Sequence, residues 1–164
     1  MLWVEVTMTL VLSSAAFVDG GTIPQKFTCD GANVSPALTW SGTPANTQTL
    51  ALIADDPDAP GGTWVHWVLF NLPGKANALP ENVARDETLS SLGNAVQGRN
   101  DFKKLGYGGP CPPPGKPHCY FFKLYALDTP LALHPGATKA QLEAAMQGHI
   151  VATAQLIGAY ARTR

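Results

Sequence analysis

The chain has 164 residues, enough for one domain whose buried core needs neither disulfide nor metal. Its formal net charge is −1, which excludes a general basic field for nucleic acid or anionic lipid and leaves any charged partner to be met by a local site. Charged residues make up 14% of the chain, where an average soluble domain has roughly 25%, while 16 Gly and 14 Pro together exceed the ~20 that average usage predicts, so the composition is turn-rich.

The N-terminal stretch MLWVEVTMTLVLSSAAF has the small residues of a signal peptide but no basic start, and Glu5 interrupts its apolar run, so no cleaved signal is expected. No apolar run reaches the ~20 residues of a membrane span. Short windows that alternate or run apolar between turn residues predict strands over 7–13, 37–41, 49–54, 65–71, 120–127 and 150–160, a mainly β pattern. Asn33-Val34-Ser35 has the form of a glycosylation sequon, relevant only to a secreted chain. The segment 74–104 is polar and weakly periodic and reads as a long loop within the domain. One helix is signalled: Thr138-Lys139-Ala140-Gln141 has the form of a capping box, QLEAAMQ supplies helix formers, and Gly148 ends it. Cys29, Cys111 and Cys119 are few and scattered, with no C-x-x-C pair, which favours free thiols, a reducing compartment and a cytoplasmic location.

Two stretches concentrate chemistry. In DDPDAPGGTWVHW (55–67), Asp56 and Asp58 flank one proline at the end of an apolar strand, and period-two alternation points both acids the same way. Close carboxylates raise at least one pKa, so one of them is expected to keep a proton and donate it, and His66 is the nearby imidazole. In GGPCPPPGKPHCY (108–120), the Gly-Lys pair resembles a phosphate loop only superficially. Five residues, not four, separate Gly109 from Gly115, Pro117 stands where Ser or Thr would hold magnesium, and the prolines lack the N–H groups of a phosphate cradle. Alternation after Pro117 puts His118 and Tyr120 on one face and Cys119 on the other, where it reads as an inert buried thiol.

Taken in order, FVDGGTIPQKFTCDGANVSPALTW, LALIADDPDAPGGTWVHWVLFNLP, GYGGPCPPPGKPHCYFFKLYALD and GHIVATAQLIGAY resemble the phosphatidylethanolamine-binding proteins, in particular their prokaryotic Raf kinase inhibitor-like group, over nearly the whole chain. The resemblance implies one antiparallel Greek-key β-sandwich with a few peripheral short helices. It also implies a small anion pocket where the two chemical stretches meet, a non-enzymatic role modulating a kinase or other partner, no cofactor, and a homodimer. By position it carries ligand contact to Asp56, Asp58, His66, Pro112, Pro113, His118 and Tyr120, with Gly109 and Pro110 at the rim and Tyr107 at an aromatic position. Cys119 stands where the family usually has arginine. The implied partner is a phosphate-bearing small molecule, a lipid headgroup or a phosphoprotein, and neither nucleic acid nor an integral membrane segment. Donors would be the two histidines, the Tyr120 hydroxyl, backbone N–H groups beside the prolines and one protonated aspartate. Two other readings stay open: an aspartate-dependent phosphohydrolase, and a divalent-metal site built from Asp56, Asp58, His66 and His118.

Overall fold

The computed structural model describes residues 9–163. Its strands are β1 (Val11–Ser13), β2 (Leu38–Ser41), β3 (Thr49–Asp56), β4 (Trp64–Pro73), β5 (Ala78–Leu79), β6 (Thr88–Leu89), β7 (Ala95–Gln97), β8 (His118–Leu127) and β9 (Ile150–Tyr160), with one α-helix, α1 (Lys139–Met146). Two single 3-10 turns lie at Gln25–Phe27 and Ser90–Leu92. The strands form a three-stranded sheet, β1-β2-β5, and a six-stranded sheet, β6-β7-β4-β3-β8-β9, and every strand pair is antiparallel. In the larger sheet β8 returns after a long excursion to lie beside β3, the Greek-key connection.

β3 is the central strand, and all eight of its residues are buried. A strand covered on both faces reads as a continuous apolar run rather than an alternating one, hence Leu50-Ala51-Leu52-Ile53-Ala54. Its pleat still sorts the side chains. Leu50, Leu52 and Ala54 join Trp67, Leu69, Phe122 and Leu124 against Leu12, Leu38 and Trp40 of the smaller sheet, while Ala51 and Ile53 face the other way, with Val68, Phe70, Leu142 and Met146. The molecule is therefore three layers: small sheet, large sheet and helix. α1 begins with both halves of its capping box in place, Gln141 N donating to Thr138 Oγ1 (3.2 Å) and Thr138 N donating to Gln141 Oε1 (3.0 Å). Lys139 Nζ then donates to the buried Asp55 Oδ2 (2.7 Å), and Lys123 Nζ reaches the same oxygen from β8 (3.2 Å), tying the helix to the end of β3.

The expected strand over 150–160 appears with the same ends, and the others appear with shifted ends. Of that over 7–13, only Val11–Ser13 is strand, and its residues 7 and 8 lie outside the described part, as does Glu5 of the stretch read against a signal peptide. The segment 74–104 is not the structureless loop its polarity suggests, since it contributes β5, β6 and β7, each of two or three residues, too short to carry a readable period. The cysteine expectation is corrected: Cys29 and Cys111 are joined in a disulfide across 82 positions, and only Cys119 is free. Sequence spacing cannot reveal such a pair, because the fold alone brings the two Cα atoms to 5.4 Å. The reducing compartment loses its support with it, as disulfides occur in oxidising compartments and also inside hyperthermophiles. No described helix is long and apolar enough to cross a membrane.

Thiol titration of the denatured, unreduced protein should find one reactive thiol, and reduction should lower the unfolding free energy by about 2–5 kcal/mol in denaturant titrations. Three reactive thiols in the denatured, unreduced protein would contradict the pairing.

Candidate functional site

Three strand ends meet at one edge of the large sheet: the C-terminal end of β3 and the N-terminal ends of β4 and β8. Between them lies a cavity of about 210 Å³, whose lining includes Asp56, His66, His118 and Tyr120 from the strands and Trp64, Phe102, Pro112 and Pro113 around them. Each functional side chain reaches it for a separate local reason. Asp56 lies on the face of Ala54 and Leu52, opposite to Asp55. His118 and Tyr120 follow the same alternation on β8, where Tyr120, Phe122 and Leu124 all face the inter-sheet core.

His66 needs more. Trp67 packs in the inter-sheet core and Val65 in the helix-side core, so strict alternation would leave no consistent place for the residue between them. The β3–β4 register slips by one here, with Ala54 opposite Trp67 but Asp55 opposite Val65. His66 is thus the extra residue of a β-bulge, a device that re-aims a side chain, and its ring meets Tyr120 edge-on at 5.2 Å.

Hydrogen bonds fix both imidazoles. His66 Nδ1 lies 2.6 Å from the Gly108 carbonyl, which can only accept, so Nδ1 carries the proton and Nε2 is left uncommitted. His118 Nδ1 lies 2.7 Å from Asp56 Oδ2, with the Asp56 side chain 4% exposed. Burial pushes the His66 pKa down; the Gly108 carbonyl and then the charges of Asp56, Asp55 and Asp101 pull it up by less. The Tyr120 hydroxyl is buried and has no hydrogen-bond partner among the described residues. Burial first, then the charges of Asp56 and Asp58, push its pKa up, so it stays a protonated donor.

The remaining expected residues fall elsewhere. Asp58 does not share the mouth of the cavity, because its Oδ2 accepts from Cys119 N (2.8 Å) and ties the turn to β8. Asp56 Oδ1 accepts from Asp58 N (2.8 Å), the local aspartate turn that DPD chemistry favours, so both oxygens of Asp56 have partners within the protein. Tyr107 is a core residue: its hydroxyl donates to the Phe27 carbonyl (2.7 Å) and its ring packs on Trp67. Gly109 N donates to Asn33 Oδ1 (2.8 Å), and a side chain there would collide with the Phe27 carbonyl at 2.2 Å. Pro110 is buried and accepts from Cys29 N (3.0 Å). Gly108 N donates to His66 O, so the N–H groups of both glycines that precede the proline tract are committed within the protein. Cys119 does lie opposite the cavity face, but half-buried, not buried.

Phe102 and Cys111 line the cavity without having been expected to. Phe102 comes from the polar segment, stitched to β4 by Asp101 Oδ2 accepting from Val65 N (2.7 Å) and placed by Asn100 Oδ1 accepting from Phe102 N (2.9 Å). Its ring then covers Trp64 (5.5 Å) and His66 (5.4 Å) edge-on. Among the described residues no three His, Cys, Asp or Glu side chains are grouped as a metal site would need.

The family model described as phosphatidylethanolamine-binding protein matches residues 13–161. The UPF0098 protein of Methanothermobacter thermautotrophicus is 53% identical over 151 residues, covering 92% of this chain and 98% of that protein. Its counterpart in Pyrococcus abyssi is 45% identical, covering 93% and 86%. Among solved structures, a phosphatidylethanolamine-binding protein homologue from Chlamydia trachomatis superposes with a TM-score of 0.86 at 41% identity, covering 94% of this chain and 99% of that one. Escherichia coli YbcL, described as a member of the mammalian PEBP family, gives 0.87 at 36%, covering 93% and 98%.

Tyr120→Phe removes a buried hydroxyl that has no protein partner, so the ligand-free protein should be unchanged or stabilised by up to about 1–3 kcal/mol in denaturant titrations, unlike most core substitutions. A clear loss of stability would show that the hydroxyl already has a partner.

Proposed function

The chain belongs to the phosphatidylethanolamine-binding protein family, and from that premise we propose that it is an anion-binding module whose cavity between His66, His118 and Tyr120 takes a phosphate or a phosphorylated ligand. The observation that carries the reading is the buried Tyr120 hydroxyl, which stays protonated and lacks a protein acceptor beside two imidazoles whose Nδ1 atoms are both committed. A buried donor of this kind calls for an acceptor, and each imidazole becomes an Nε2–H donor toward the cavity when it takes up a proton. His118 then donates at both ends, to Asp56 and to the guest. Among the described residues no lysine or arginine lines this cavity, so affinity for a bare anion is weak, with a millimolar dissociation constant corresponding to about 4 kcal/mol.

Binding is favoured over hydrolysis because neither carboxylate is free to attack. Asp56 is held by His118 and the Asp58 N–H, and Asp58 by the Cys119 N–H. The antiparallel sheets also differ from the parallel α/β frame of aspartate phosphatases.

The depressed His66 pKa makes the proposal pH-dependent in two opposite ways. In the free protein, stability is complete above the ordinary histidine value of about 6.5 and falls as pH drops from there toward the lowered folded value, because the unfolded chain binds the proton more readily. An anion in the cavity favours protonated His66 and reverses that trend. Sulfate, whose charge is constant over the range, should bind more tightly at pH 5.5 than at pH 7.5, with net proton uptake seen by calorimetry in buffers of different ionisation enthalpy. Inorganic phosphate should shift the ring signals of His66 and His118 by NMR. Sulfate affinity that is flat or weakens toward pH 5.5, or histidine signals indifferent to phosphate, would overturn the reading.

A further inference from the structure

A second and larger cavity, of about 470 Å³, adjoins the first, and Phe102 and Cys111 line both. The Phe102 ring and the Cys29–Cys111 bridge thus form a low, mostly apolar saddle between two hollows. The two hollows differ in charge. Among the described residues the first contains the Asp56 carboxylate and no lysine or arginine, whereas the second is lined by Arg85 and Lys104 and by no carboxylate.

Lys26 is paired with Glu81, and Lys123 and Lys139 with Asp55, but neither Arg85 nor Lys104 has a carboxylate partner among the described residues. Arg85 is nonetheless held in place. Its Nε donates to the Tyr107 carbonyl (2.9 Å) and its Nη2 to the Asn33 carbonyl, which leaves Nη1 uncommitted on a guanidinium already fixed in direction. The backbone that anchors it continues directly into Gly108, whose carbonyl orients His66, so both hollows are built on one short strip of chain. A fixed guanidinium is suited to bind an anion, since little side-chain entropy is lost when it does so.

We infer that the second cavity is a subsite for a second anionic group of the same ligand: a small phosphate ester whose phosphate lies by His66 and His118, whose short apolar part crosses the Phe102–disulfide saddle, and whose far end carries a phosphate or carboxylate to Arg85 and Lys104. Size agrees with this. At about 210 Å³ the first cavity is below the range of roughly 300–1,000 Å³ usual for small-molecule sites, and with its neighbour it falls inside that range. The inference rests on the anion reading of the first cavity and adds to it the ligand's length and second charge.

Calorimetric titration with inorganic phosphate, with alkyl monophosphates and with α,ω-alkanediol bisphosphates of matched chain length tests it. One bisphosphate length should bind at least about tenfold more tightly than its monophosphate, because the second contact is made intramolecularly once the first has formed. Lys104→Gln should remove most of that gain while leaving unchanged the phosphate-induced NMR shifts of His66 and His118, which report on the first cavity. Arg85→Gln should also lower the gain, but because Arg85 tethers the Tyr107 carbonyl next to Gly108, the exposed Lys104 is the variant expected to leave the first cavity's phosphate response intact. If phosphate binds and shifts His66 and His118 but no bisphosphate gains over its monophosphate, or the gain survives both substitutions, the subsite is wrong and the anion reading stands. If phosphate leaves both histidines unmoved, the two fall together.

Discussion

A side chain on a β-strand can leave toward one of two faces, and the next residue must take the other. In β4 that rule would separate His66 from the face on which Trp67 packs and on which Asp56 and Tyr120 lie. The one-residue slip between Ala54–Trp67 and Asp55–Val65 removes the conflict. With the slip, His66 meets Tyr120 edge-on and its Nδ1 reaches Gly108, which carries the 107–109 strip that anchors Arg85. Without it the imidazole would be directed toward the layer holding α1, and the first cavity would lose its His66 wall.

The alternation that constrains His66 serves the protein well one strand over. Asp55 and Asp56 are adjacent, both nearly fully buried, and face opposite layers. Asp56 is held beside the cavity by His118, while Asp55 takes Lys123 and Lys139 and so fixes the helix layer. Paired buried charges contribute little net stability, but removing either partner leaves an unpaired charge inside, which makes the arrangement restrictive. The end of β3 is thereby held on both sides, and the strand that presents Asp56 cannot tilt without disturbing the seat of α1.

How much of this was legible follows from the length over which each signal is written. β3, β4, β8 and β9 run eight to eleven residues, and their period or apolar run survives in the sequence. The capping box is a four-residue code, written whole in Thr138-Lys139-Ala140-Gln141. The convergence of His118, Tyr120 and Asp56 was accessible because two of them share one strand face and the third ends a neighbouring strand. What could not be read depends on contacts between distant segments. β5, β6 and β7 are too short to show a period, the Cys29–Cys111 pair exists only after folding, and Phe102 is placed by Asn100 and Asp101 from an unpatterned stretch. Asp58 misled for another reason. Beyond the strand end the period-two rule no longer holds, and the proline turn directs its carboxylate to the Cys119 amide.

The groups that face a guest also divide by the kind of backbone that carries them. Asp56, His66, His118 and Tyr120 stand on strands whose pairing is fixed by the cores on either side, whereas Pro60, Phe102, Pro112 and Pro113 stand on the connections between them. On the anion reading proposed above, recognition of the charged group is written into the framework and selectivity for the rest of the guest into the connections. Relatives that kept the sandwich while exchanging those connections would share the first and diverge in the second.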